Sequence, residues 1–113
     1  MAAPRTIRVF WRHTSTGWHN FNWNGVITPQ SVIHISACEA TFPDNNLFGV
    51  EGLGRQRGAA PIWVKNVHPH GPNPGDTITG GVEFFLQVDW ATPLNVATDI
   101  TVFDAPEQKT IVG

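Results

Sequence analysis

The chain has 113 residues, of which 41% are hydrophobic and 14% charged, with a formal net charge of −2. That length suits a single compact domain over residues 1–113 and is too short for two. The negative balance excludes a general nucleic-acid partner, whose basic excess would show in the total. Charge this sparse points to a surface of Asn, Thr, Ser, Gln and Gly, or to one partly hidden in an assembly.

The single cysteine excludes an internal disulfide, so packing must hold the fold, and a lone thiol suits a reducing compartment. No apolar run approaches the ~18 residues of a membrane span. The opening MAAPRTIRVFWRH lacks the apolar stretch of a signal peptide. A cytoplasmic location with no membrane partner is therefore expected. Residues 1–65 carry six of the seven Lys and Arg against three acids, and residues 66–113 carry one Lys against six acids. Such a split suits complementary faces in a homo-oligomer.

In chain order, period-two alternation recurs and no capped amphipathic helix is found. TIRVFWR sets Ile7, Val9 and Trp11 against Arg8, Phe10 and Arg12. GWHNFNWNG follows, with His19, Phe21 and Trp23 on one face and Asn20, Asn22 and Asn24 on the other. Asn24-Gly25 reads as a type I′ hairpin turn. SVIHISACEATF opposes Ile33 and Ile35 to His34 and Ser36, and PIWVKNV is a further strand. Two irregular pieces, PDNNLFGVEGLGRQRGAAP and HPHGPNPGDTITGG, lie between the strands.

GVEFFLQVDW is the clearest strand. Val82, Phe84, Leu86, Val88 and Trp90 share one face, and Val96, Ile100 and Val102 share a face of VATDITVFD. Pairing Trp90 with Val96, Leu86 with Ile100 and Phe84 with Val102 aligns both apolar faces, so these two strands are expected to form a hairpin. Seven or eight short strands with two long loops specify an all-β, antiparallel β-sandwich of jelly-roll or immunoglobulin-like kind, with a partly closed barrel as the alternative.

Several constellations bear on function. Asn side chains offer both donors and acceptors to sugar hydroxyls, and an exposed indole offers an apolar plate to a sugar ring. Trp18, Asn20, Asn22 and Asn24 are therefore the primary candidate ligand contacts, with His68, His70 and Asp76 beside them. The competing structural reading packs Phe21 and Trp23 in the core and leaves the asparagines to water. His68 and His70, two apart, have a spacing that can chelate Zn or Cu, and His13 and His19 could complete such a site. The bland alternative is a proline-rich polar loop.

NPGDTIT resembles the turn into a strand of many β-sandwich proteins, the cupredoxins among them. A blue-copper site is excluded, because Cys38 is the only Cys, no His follows it closely, and Met1 is the only Met. No cofactor is expected. His34, Ser36 and Cys38 share a strand face, but same-face neighbours ~7 Å apart are too far for nucleophile–base contact. Glu83 and Asp89 also share a face, ~20 Å apart along a straight strand, beyond a glycosidase pair. Arg55 and Arg57 could contact an anion or a partner, and Asp44, Asn45 and Asn46 could supply oxygens to calcium. Phe10, Phe85 and Phe103 fall out of phase with the buried sets of their strands, which points to an interface unless the 43–60 loop covers them. The function expected is a non-catalytic, lectin-like carbohydrate-binding module. A self-associating structural or protein-interaction sandwich is the alternative, and an enzyme comes third.

Overall fold

The computed structural model describes residues 3–41 and 54–113. Seven strands lie among them: β1 (Arg5–Thr14), β2 (Gly17–Asn22), β3 (Val32–Thr41), β4 (Gly54–Gln56), β5 (Ile62–His70), β6 (Gly81–Val88) and β7 (Leu94–Phe103). They form two antiparallel sheets, ordered β1-β7-β3-β4 and β2-β6-β5, in an all-β sandwich. Among the described residues no helix is long and apolar enough to cross a membrane. Asp44, Asn45, Asn46 and most of the 43–60 loop lie outside the described residues.

The central strands β6 and β7 carry the core. Val82, Phe84, Leu86 and Val88 point inward from β6, and Val96, Ile100 and Val102 from β7. Each fully buried side chain of this size contributes about 1.5–3 kcal/mol relative to exposure. Ile7, Val9 and Trp11 of β1 pack onto this core, as do Ile33 and Ile35 of β3. Except for Trp90, the inward faces read from period-two alternation in these strands are therefore the observed ones. One polar side chain among them, Thr98, is fully buried and accepts a hydrogen bond from Trp11 Nε1 at 2.9 Å.

The expected hairpin between β6 and β7 does not form. The chain crosses from one sheet to the other between them, so their apolar faces meet across the core and not side by side. Both arrangements satisfy the same alternation, because matching apolar faces fixes which side is buried but not which sheet a strand joins. Trp90 lies beyond the end of β6 and is half exposed.

Asn24-Gly25 also departs from expectation. Gly25 has φ +78°, while Asn24 is not among the residues of positive φ. A type I′ turn needs positive φ at both central positions, whereas a type II turn needs it only at the second. Val26 N donates to Trp23 O at 3.2 Å, closing the turn. The chain then returns to the four-stranded sheet through residues 26–31 and does not pair back on β2.

Candidate functional site

The outer face of the three-stranded sheet collects four rows of side chains. Strand register aligns Trp63 with Gln87, then Lys65 with Phe85 and Trp18. Next come His68 with Glu83 and Asn20, and finally His70 with Gly81 and Asn22. Successive rows are ~7 Å apart along the strands. One end of the face is therefore aromatic and the other is polar.

A local irregularity makes this possible. Trp63 and Lys65 point outward from β5, and strict alternation would then turn His68 and His70 into the core. Instead the register shifts by one residue between Lys65 and His68, and Asn66 adopts φ +49°. Asn tolerates this left-handed conformation better than most residues. The bulge sends Val67 inward and both histidines outward. The segment from His68 to His70, expected in a loop, is thus the end of a strand.

At the polar end lies an open cavity of about 350 Å³, lined by Asn20, Asn22, His68, His70, Gly71, Asn73, Ile78 and Glu83. His68 Nδ1 donates to Glu83 Oε1 at 3.0 Å. His70 Nε2 lies 2.6 Å from Asn20 Oδ1, and Asn20 Nδ2 donates to Asn22 Oδ1 at 2.8 Å. Gly81 permits this closure: a Cβ there would sit 2.5 Å from Asn22 Oδ1 and 3.0 Å from His70 Cε1. At the aromatic end, Trp18 stands edge-on to Phe85 with centroids 5.5 Å apart and is 58% exposed. Lys65 Nζ lies 5.3 Å from the Trp63 ring centroid and 5.8 Å from that of Phe85.

Comparison with known proteins finds no matching family model, no matching curated protein and no matching solved structure.

Of the seven candidate ligand residues, Asn20, Asn22, His68 and His70 meet in the cavity, and Trp18 stands one row away. Asn24 and Asp76 do not line it. Asn24 Oδ1 accepts from Thr79 N at 3.0 Å, and Asp76 Oδ2 accepts from Asn73 N at 3.0 Å. Both shape the loop that borders the cavity. Glu83, weighed in the sequence only as a glycosidase partner of Asp89, and Asn73 and Ile78 are additions to the seven candidate ligand residues. No local pattern marks them, because β2 and β5 flank Glu83 only through long-range register.

His13 and His19 do not join His68 and His70. His13 N donates to Asn95 Oδ1 at 3.2 Å. His19 faces the core, 5.2 Å from the Trp11 ring and 5.9 Å from that of Phe84, and its buried Nε2 has no hydrogen-bond partner among the described residues. Among the described residues, no group of three or more His, Cys, Asp or Glu is placed to hold a metal ion.

The three outward phenylalanines are not brought together. Phe85 belongs to the three-stranded sheet, while Phe10 and Phe103 lie on the other. Phe10 pairs with Ala97, six positions from Phe103 on β7, which separates them by ~20 Å. Phe103 packs edge-on against His34 at 5.4 Å.

The outer face of the four-stranded sheet is built differently. Arg8 holds Asp99 through two hydrogen bonds, of 2.6 and 2.9 Å. Arg55 Nη1 donates to Asp99 at 2.8 Å and to Ser36 Oγ at 2.9 Å, and Arg55 Nε donates to Cys38 Sγ at 3.2 Å. The hydrogen bonds from Arg8 and then Arg55 outweigh partial burial and hold the Asp99 carboxyl below its ordinary pKa. The Arg8 guanidinium is raised by Asp99, and that of Arg55 by Cys38 and Asp99. Arg55 is therefore engaged within the chain, and Arg8 and Arg55 from residues 1–65 meet Asp99 from residues 66–113 on one sheet.

Proposed function

We propose that this chain is a non-catalytic, lectin-like carbohydrate-binding module whose site is the outer face of the three-stranded sheet. One observation carries the reading. Two edge strands and the central strand bring Asn20, Asn22, His68, His70 and Glu83 to one open cavity, with the exposed Trp18 indole beside it. Amide, imidazole and carboxylate groups at the polar end suit the mixed donor and acceptor pattern of sugar hydroxyls. The indole suits the apolar face of a sugar ring.

The cavity is open, so affinity for a single sugar should be modest. At about 0.3 kcal/mol per heavy atom, a hexose of about twelve such atoms gains about 4 kcal/mol, equivalent to about 1 mM. Assembly into a homo-oligomer would raise the effective affinity for a multivalent glycan without any new contact.

A glycan array followed by titration of Trp fluorescence tests the proposal. A binding sugar should perturb Trp18 emission. Asn20→Ala and Trp18→Ala should each weaken that binding about tenfold, while stability changes by no more than about 0.5 kcal/mol, as for surface substitutions. Absence of binding across a broad array would refute the assignment.

A further inference from the structure

His70 meets oxygen with both ring nitrogens. Nδ1 lies 3.0 Å from the Gly71 carbonyl oxygen, and Nε2 lies 2.6 Å from Asn20 Oδ1. A carbonyl oxygen only accepts, so the contact with Gly71 requires a proton on Nδ1. Asn20 passes the contact on, because its Nδ2 donates to Asn22 Oδ1 at 2.8 Å. With Asn20 so oriented, Nε2 also faces an acceptor, a pattern that a ring protonated on both nitrogens completes.

A neutral His70 that keeps its bond to Gly71 has a lone pair at Nε2. Asn20 must then turn its carboxamide over to donate, which brings its Oδ1 to Asn22. Asn22 must turn as well, donating its own Nδ2 to Asn20. The oxygen and nitrogen of a carboxamide are nearly equal in shape, so both arrangements fit the same space. In the first, Asn22 offers the cavity an N–H donor. In the second, it offers an oxygen acceptor.

We propose that His70 sets the specificity of this cavity: its proton decides, through Asn20, whether Asn22 donates or accepts, and so selects a carboxylate-bearing saccharide in acid. The ligand half of this proposal rests on the carbohydrate-binding reading; the relay rests on the hydrogen bonds alone. The charges around the cavity act in the same direction. The lining groups that titrate are His68 and His70 from β5 and Glu83 from β6, while β2 contributes only Asn20 and Asn22. From the 71–80 loop, Asp76 is held by Asn73 N, and Lys65, one row away, donates to Gln87. Protonating both histidines converts the lining from net negative to net positive. A carboxylate ligand then meets attraction and an added donor, whereas a neutral sugar gains little.

Two readouts test the proposal. The first follows the His70 ring nitrogens and the Asn20 and Asn22 side-chain amides by NMR from about pH 8 to about pH 5, the span in which histidine changes charge. Asn22 should move with the His70 midpoint in the wild type and in His68→Gln, and should lose that transition in His70→Gln. An Asn22 amide that ignores His70, or still titrates in His70→Gln, overturns the relay.

The second readout compares sodium glucuronate with methyl glucoside at the two ends of that range. Glucuronate should gain about tenfold on acidification, methyl glucoside should not, and His70→Gln should abolish most of the gain. An equal pH response of the two sugars, or an undiminished gain in His70→Gln, overturns the selection. If neither sugar binds at either pH, the selection fails together with the carbohydrate reading, and the amide resonances alone decide the relay.

Discussion

The two outer faces of the sandwich use polar groups in opposite ways. On the four-stranded sheet, one carboxylate answers two guanidinium groups, and Ser36 and Cys38 take further Arg55 donors. The hydrogen-bonding capacity of that cluster is largely consumed within the chain. On the three-stranded sheet, amides, imidazoles and Glu83 surround an open cavity, and their mutual bonds leave further donors and acceptors unused. Recognition is to be sought where the polar groups stay unspent. A cluster of paired charges stabilises its own strands, whereas a ring of polar groups around an empty space keeps its capacity for a ligand.

Substitutions can probe the two faces together or one at a time. The largest effect is expected from Phe84→Ala, because Phe84 is fully buried between the sheets and supports both faces. Its loss should cost about 3–5 kcal/mol in chemical denaturation and should impair both faces together.

Asp99→Asn separates them. Removing the charge that holds Arg8 and Arg55 should lower the thermal midpoint by several degrees while saccharide binding is unchanged. The pH dependence has a definite sign. The Asp99 carboxyl is depressed in the folded state, so its contribution is fully present above the unfolded pKa of about 4 and is lost as the pH falls through the lower folded value. The stability gap between wild type and Asp99→Asn should therefore narrow in acid. A gap that stays constant down to about pH 2 would contradict the assignment.

Gly81→Ala is the converse probe, because it acts on the cavity face. The added Cβ would press on Asn22 Oδ1, Phe21 O and His70 Cε1. An overpacking cost of about 1–3 kcal/mol is expected, together with loss of saccharide binding in fluorescence titration. Retained binding would show that the close approach of His70 and Asn22 is dispensable.

Much of the sandwich was legible because period-two alternation survives in β1, β2, β6 and β7. Val82 through Val88 and the Asn20–Asn22 face behave as alternation requires. Pairing was less legible, since β6 and β7 have compatible apolar faces whether they lie side by side or opposed. His68 and His70 looked like loop residues because Pro69, Pro72 and Pro74 surround them. Their outward placement depends on the bulge at Asn66, and the one local signal for it was an asparagine within a β-branched run. Glu83 belongs to the cavity through register alone, and no window of sequence contains both of its neighbouring strands.

The position of β7 has a consequence for how the molecule is made. It is the last of the described strands and an inner strand of its sheet, paired with β1 on one side and β3 on the other. During synthesis, β1 and β3 leave the ribosome well before the partner that joins them. Until β7 emerges, β1 has no partner strand in this sheet, so its pairing waits for contacts distant in sequence.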